Sequence, residues 1–195
     1  MASTPPGQRK QQILEALAEM LEQPKGERIT TAALARKLEF SEAALYRHFA
    51  SKAQMFEGLI EFIESSVFGV INQITEKQPS GLAQARDMVA MLLRFASSNP
   101  GMTRVLIGDA LVGEDERLQT RMNLFYERVE LALKQALRIA ASEGQAHEAD
   151  VDARAGMLVS FVLGRWHRYA KSGFKLHPSQ DAALQIALLM GDIGP

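Results

Sequence analysis

Residues 30–52 have the sequence TTAALARKLEFSEAALYRHFASK, and this stretch decides the fold. It contains two short segments with apolar residues at helical spacing, joined by a tight turn. Thr30 or Thr31 can cap the first segment and Ser41 the second, because each hydroxyl can accept a hydrogen bond from a free backbone N–H. The pattern is typical of a helix-turn-helix, in which the second helix enters the major groove of DNA.

The side chains of these two segments divide into an inner and an outer face. We expect the inner face to close a small core against a preceding helix, through Leu34, Leu38, Phe40, Ala44, Leu45 and Phe49.

The outer face carries side chains whose chemistry suits DNA. With the inner face buried, Glu42 lies on or beside the exposed surface together with Ala43, Tyr46, Arg47 and His48. Tyr46, His48 and the following Lys52 suit phosphate oxygens, whereas Arg47 and the small Ala43 suit base edges. The alternative is a solvated helical hairpin whose charges only face water.

The rest of the chain repeats the helical spacing, and no segment alternates like a half-buried strand. Pro24 and Gly26 predict a break after the first helix. We therefore predict an all-α protein of about nine helices. Besides the two short segments, the predicted helices cover residues 8–21, Ser51 to before Pro79, 82–98, 102–111, a helix after Glu114–Glu116 that ends before the loop at 142–147, 149–171 and 180–190.

Composition excludes several classes of protein. Hydrophobic residues make up 47% of the chain, and there are no cysteines, so disulfide frameworks and thiolate metal sites are excluded. The four histidines show no metal-ligand spacing, and no nucleophile elbow or phosphate loop is present. We therefore expect no metal, no cofactor and no catalytic residues.

Charge and hydropathy bear on partners and location. The net charge is −1, but the first 52 residues carry eight Lys and Arg against six Glu, so this end is slightly basic and the remainder acidic. Residues 1–10 lack the apolar stretch of a signal peptide, and no apolar run approaches the roughly 20 residues of a membrane span. We expect a soluble, cytoplasmic protein.

The sequence of the two segments resembles the N-terminal motif of TetR-family regulators. The match runs in order through Ile29-Thr30-Thr31, Leu34-Ala35, residues 41–49, Ser51-Lys52 and Met55-Phe56. The resemblance implies a DNA-binding domain in residues 1–52 and a helical body in residues 53–195 that dimerises through its last two long helices. It also implies further DNA contacts, from Thr30, Thr31, Ser41, Arg9 and Lys10.

The likeness extends beyond this motif to the nucleoid occlusion factors, a specialised branch of the same family. Residues 59–64, 99–104, 108–111, 117–119 and 125–128 carry it. It implies dimers that associate with the nucleoid at palindromic chromosomal sites and antagonise the division GTPase FtsZ, so that the septum does not form there. Its candidate FtsZ contacts are Phe62, Met91, Arg94 and Asn99.

Three positions depart from what this resemblance leads us to expect. Glu39 stands where the turn before the recognition helix usually has glycine, and a positive φ there would strain it. Val70 and Ser98 stand where arginine is expected. Both lie near the FtsZ-facing surface of the family, so fewer cations are available there.

The C-terminal helices supply the predicted dimer interface, and two other functions remain open. The interface residues are Phe161, Arg165, Leu184, Ile186, Ala187 and Met190. Trp166, His167 and Tyr169 are predicted either at this interface or around a ligand cavity. A TetR-type repressor that responds to a small molecule is therefore the alternative function, and a helical adaptor without DNA binding is a third.

Overall fold

The computed structural model describes residues 6–23 and 29–191, and over these ranges all regular structure is helical. The predicted all-α fold is confirmed, while the predicted break at residues 24–26 lies outside the described residues. The α-helices are α1 (Pro6–Leu21), α2 (Thr31–Lys37), α3 (Glu42–Tyr46), α4 (Lys52–Lys77), α5 (Gly81–Ser98), α6 (Pro100–Leu106), α7 (Glu116–Ser142), α8 (Val151–Lys171) and α9 (Ala182–Met190). Short 3₁₀ turns cover Asp109–Leu111 and Glu148–Asp150.

Serine and threonine caps start the helices around the turn, as predicted. Thr30 accepts a hydrogen bond from the N–H of Ala33 at 3.1 Å, and Ser41 accepts one from Ala44 at 3.2 Å. Ser51 does the same for α4. Each hydroxyl satisfies a backbone donor that has no partner within its helix, which fixes where the helix begins.

Helices α1 to α3 form a small N-terminal head whose core is continuous with that of the other helices. Leu34, Leu45 and Phe49 are buried in the same cluster as Ile13 and Leu17 of α1. Three other predicted core residues, Leu38, Phe40 and Ala44, are half-buried at the edge of this cluster.

The head is attached to the remaining helices at α6. A Cβ atom on Gly101 would lie 1.9 Å from the carbonyl oxygen of Ala18, so only glycine permits this approach of α6 to α1. Arg104 also donates to the carbonyl oxygens of Leu21 and Gln23, at 3.4 and 3.3 Å. The end of α1 is therefore held on α6.

A small ion network lies on the far side of Arg104. Its Nε donates to Asp109 at 2.9 Å, and the ammonium of Lys171 contacts the same carboxylate. Burial raises the pKa of Asp109, but the hydrogen bonds from Lys171 and Arg104 outweigh it and hold the pKa below its usual value. The network connects α6 to α8.

The body is a bundle in which α5 lies between α4, α7, α8 and α9. Trp166 is 1% exposed and donates its indole N–H to the carbonyl of Leu92 at 3.1 Å. Tyr169 is also buried and donates to the carbonyl of Ser97. The interface prediction for these two aromatics is wrong, because both are buried in the core of one protomer with their polar atoms satisfied there.

The space beside Trp166 is almost filled. A cavity of about 10 Å³ lies between α7 and α8, lined in part by Phe125, Val129 and Val162. That volume is about what one water molecule needs, whereas a drug-sized ligand needs several hundred Å³.

The helix predicted for residues 102–111 ends early, at Leu106. Gly108 follows with a φ of +76°, which an α-helix cannot contain, and the chain continues as a 3₁₀ turn. The helical spacing of the apolar residues persists across this break, so the pattern alone did not mark it.

The predicted dimer residues separate into two groups. Leu184 is 65% exposed and Ala187 is exposed, while Phe161 and Arg165 are half-buried. Ile186, at 1% exposure, and the buried Met190 instead pack into the core of their own protomer, so their assignment to the interface is wrong.

The cause lies in α9 itself, which is apolar around most of its circumference. Ala182, Ile186 and Met190 form its buried side, and Arg154 of α8 donates to the carbonyl of Met190 at 3.2 Å. A helix without a polar side does not reveal from its sequence which side faces its own core. Within the described ranges, no helix has both the length and the apolar character needed to cross a membrane.

Candidate nucleic-acid interface

Helix α3 presents one exposed face at the end of the head. Glu42, Ala43, Tyr46 and Arg47 are exposed on it, and His48 is half-buried. This face is oriented by Leu45, which is completely buried on the opposite side of the helix. The predicted outer face is therefore brought together as a continuous surface on a recognition helix.

A chain of hydroxyl groups crosses this surface. Thr31 of α2 donates to a carboxylate oxygen of Glu42 at 2.7 Å, and the hydroxyl of Tyr46 lies 3.5 Å from Oγ1 of Thr31. The sequence shows no signal of these contacts, because the residues are 11 and 15 positions apart. These hydrogen bonds hold α2 and α3 in one arrangement and fix the position of the Glu42 side chain.

The two basic residues of α1 lie beside the recognition helix. The guanidinium of Arg9 is 5.1 Å from the centre of the Phe40 ring, and the ammonium of Lys10 is 5.5 Å from that of Phe49. These cation–π contacts place both charges at the edge of the head without neutralising them. They can therefore face phosphate groups that flank a groove.

Lys52 is placed differently from the other predicted contacts. Its ammonium forms an ion pair with Glu114 of the body at 2.5 Å, and the two side chains are only 21% and 10% exposed. In the protein without DNA, this cation is therefore held against the body, and it must leave Glu114 to reach a phosphate.

The turn before α3 contains the strain that was expected of a non-glycine residue. Glu39 has a φ of +56°, and its exposed side chain does not compensate for the conformation. A non-glycine residue in this region costs about 1 kcal/mol. The turn is therefore not remodelled to avoid a positive φ at this position.

A second surface lies behind the head, around Phe62 of α4. Phe62 is 48% exposed and borders a groove of about 280 Å³. The groove is mostly apolar and runs between α1, α4 and α6. Its lining residues are Gln11, Leu14, Glu15, Leu59, Phe62 and Met102.

The other candidate FtsZ contacts do not line this groove, and they differ from one another in exposure. Arg94 is exposed, and Asn99 is half-buried with its amide donating to the carbonyl of Phe95 at 2.7 Å. Met91 is only 7% exposed and packs in the core, so its side chain is not part of an open contact surface. Val70 and Ser98 are both exposed.

The fold and the exposed recognition helix define a helix-turn-helix DNA-binding regulator. Residues 13–59 match the model of the bacterial regulatory proteins of the tetR family, and residues 80–193 match that of the SlmA-like, tetracyclin repressor-like C-terminal domain. The comparisons place the chain among regulators and not among enzymes.

Curated relatives match along nearly the whole chain. The nucleoid occlusion factor SlmA of Colwellia psychrerythraea is 49% identical, over 94% of this chain and 93% of its own. SlmA of Aliivibrio fischeri is 47% identical over 99% of this chain and 100% of its own. The chain therefore belongs to the TetR family, in the branch of the nucleoid occlusion factor SlmA.

Solved structures confirm the fold at low sequence identity. A TetR regulator from Haloarcula marismortui superposes with a TM-score of 0.80 at 16% identity, covering 94% of this chain and 97% of the other. The regulator PfmR from Thermus thermophilus gives a TM-score of 0.76 at 19% identity, covering 94% and 99%. At these identities the likeness concerns the fold alone.

Proposed function

We propose that this protein is a nucleoid occlusion factor, which binds chromosomal DNA as a dimer and, while bound, antagonises FtsZ assembly over the nucleoid. The observation that carries the proposal is the 47–49% identity to SlmA proteins, which extends over both the head and the body. A factor of this kind associates with the nucleoid through its DNA sites.

In this proposal, residues 1–52 form the DNA-binding domain. Arg47 and Ala43 approach base edges, while Tyr46 and His48 contact phosphates. Thr30, Thr31 and Ser41 line the same face with Glu42. Arg9, Lys10 and Lys52 add charge at its edges, Lys52 after release from Glu114.

Residues 53–195 form the dimerisation and partner-binding domain. An exposed stripe of small and apolar side chains runs along α8 and α9, opposite the buried side of each helix. It contains Gly164, Leu184 and Leu188, of which Leu188 is 71% exposed. Pairing this stripe with its copy makes a four-helix interface and covers apolar surface that is otherwise in water. Two heads related by this symmetry meet palindromic half-sites about one helical turn of DNA, or slightly more, apart.

FtsZ contacts the surface around Phe62. The groove beside Phe62 offers apolar area for an apolar segment of the partner, and Arg94 and Asn99 lie on the neighbouring α5 and at its end. Val70 and Ser98 replace expected arginines, so the contact depends less on charge than the family resemblance implies. Because this groove runs between the head and the body, a partner bound there lies close to the DNA.

The small-molecule repressor is the weaker alternative, because the space beside Trp166, where a ligand cavity was predicted, is too small for a ligand. The space between α7 and α8 measures about 10 Å³. A repressor that releases DNA on binding a ligand needs a site some tens of times larger.

Genome-wide mapping of the bound DNA tests the proposal. A nucleoid occlusion factor occupies many dispersed sites and is sparse near the replication terminus. An Arg47→Ala variant serves as the control, because it retains the fold but loses the sites. Occupancy of only one or a few promoters would contradict nucleoid occlusion and support a repressor.

A further inference from the structure

We propose that Glu42 reads a cytosine in each half-site, by accepting a hydrogen bond from the N4 amino group in the major groove. This inference rests on the proposed sequence-specific binding and adds to it the base that one named side chain selects. Glu42 is an acidic residue in the middle of a surface that would face the negatively charged DNA backbone, where phosphate groups repel it.

The carboxylate of Glu42 is held in place before DNA arrives. Thr31 has one hydroxyl proton, and it donates that proton to Oε2 of Glu42 at 2.7 Å. The hydroxyl of Tyr46, 3.5 Å away, is positioned to donate to Thr31 in turn. A side chain that is already ordered loses little entropy on binding, which favours a specific contact over an adjustable one.

The chemistry of a carboxylate limits what it can contact. It accepts hydrogen bonds and donates none, so it cannot bind a phosphate oxygen, which is also an acceptor and carries the same charge. Among the base edges in the major groove, guanine offers N7 and O6 as acceptors and thymine offers O4. Only cytosine N4 and adenine N6 donate.

Adenine is the less favourable of these two donors. Its N7 acceptor lies beside the N6 amino group, where it repels a carboxylate that approaches the base edge. Cytosine has no acceptor at the corresponding position in the major groove, so its amino group can be approached by a carboxylate alone. The geometry and the charge therefore both favour cytosine.

The neighbours of Glu42 leave room for this contact. Ala43 is exposed and adds no bulk beside the carboxylate, and Arg47 is exposed further along the same surface. An arginine suits guanine O6 and N7, so the face carries one acceptor for cytosine and one donor group for guanine.

Selection of binding sites from a random duplex library tests this assignment. The full-length protein, Glu42→Gln and a matched control, Glu39→Gln, are each used to enrich sites, which are then sequenced. Both substitutions remove one negative charge from the head, but only Glu42 lies on the recognition face. Thermal melting of each variant confirms that it folds.

The expected result is a change at one position per half-site. The wild-type protein and Glu39→Gln prefer cytosine over adenine there by about five-fold or more. Glu42→Gln reduces this preference to about two-fold or less, or shifts it towards adenine, because an amide can both donate to N7 and accept from N6. The overall affinity of Glu42→Gln for duplex DNA does not fall below that of the wild type, because the substitution removes a negative charge that repels phosphates.

Two other results have distinct meanings. If Glu42→Gln selects the same sites as the wild type with the same preference at every position, Glu42 does not read a base and the inference is wrong. If the wild-type protein itself enriches no sequence, the proposed sequence-specific binding fails, and the inference fails with it.

Discussion

The recognition face of the head and the outer faces of the body expose opposite kinds of side chain. The head exposes hydroxyl, carboxylate and guanidinium groups around Tyr46 and Arg47. The body exposes apolar side chains instead, at Phe62 and at Leu184 and Leu188 of α9. Polar groups with fixed positions suit phosphates and base edges, whereas exposed apolar patches mark contacts with proteins.

The contrast between the polar face of the head and the apolar faces of the body indicates how one small chain can bind both DNA and other proteins. In the proposed function, the head selects the location on the chromosome, and the surfaces of the body bind other protein chains. The two regions are joined by α4, which begins at the head and runs through the body, and by the close contact of α1 with α6. Substitutions on the two kinds of surface should therefore have separable effects.

The largest expected effect concerns the two sides of α9. Ile186→Glu buries a charge without a partner in the core, so we expect a loss of at least about 4 kcal/mol in the free energy of unfolding, and little folded protein. Leu184→Glu places the same charge on the exposed side and should give a folded monomer. Thermal melting and sedimentation velocity measure the two outcomes. A Leu184→Glu protein that sediments as a dimer would refute the proposed interface.

The second-largest expected effect is the loss of DNA affinity when the guanidinium of Arg47 is removed from the recognition face. Arg47→Ala should weaken binding to the selected DNA site by about 10- to 100-fold, the cost of one base contact, and leave the dimer intact. Arg86→Ala, a change of the same kind at an exposed position of α5, should leave affinity unchanged. Fluorescence anisotropy at moderate salt measures both. Equal affinities for the two variants would show that α3 does not enter the groove as assigned.

Replacing Glu39 with glycine in the strained turn of the head should stabilise the fold. Glu39→Gly relieves a φ of +56° and should raise the free energy of unfolding by up to about 0.5 kcal/mol, since the strain of about 1 kcal/mol slightly exceeds the entropic cost of glycine. Glu39→Ala keeps the strain and is the control. Chemical denaturation compares them, and a gain with alanine equal to that with glycine would exclude strain as the cause.

The smallest expected effect lies where the head meets the body. Glu114→Gln removes the partner that holds Lys52, so the ammonium becomes available to a phosphate. We expect DNA affinity to rise about two-fold at low salt, because binding no longer breaks this ion pair, and the slope of log K against log salt to stay that of the wild type. Lys52→Met in the same background should remove the gain and make the slope shallower by about 1, because one phosphate contact is lost. A slope that Lys52→Met leaves unchanged would mean that Lys52 does not reach the DNA.

Much of the fold could be predicted because its signals are local. Caps at Thr30, Ser41 and Ser51 and apolar residues at helical spacing specify where helices begin and which side they bury. Glu39 could be singled out as a possible site of strain because the family resemblance leads us to expect glycine at this turn.

The features of the fold and of the site that could not be predicted depend on contacts between residues far apart in the sequence. Lys52 meets Glu114, and Thr31 meets Glu42, through the packing of whole helices, which no local pattern encodes. The wrong interface assignments have the same origin. Ile186 lies on α9, which is apolar around most of its circumference and therefore does not reveal which side faces the core and which a partner.

Sedimentation of FtsZ polymers tests the central claim most directly. FtsZ is assembled with GTP and pelleted in the presence of this protein, together with either its selected DNA site or unrelated DNA of the same length. The account predicts that the selected site lowers the amount of pelleted FtsZ, and that Phe62→Ala, which keeps its DNA affinity, has lost this effect. An amount of pelleted FtsZ that does not depend on the DNA would contradict it.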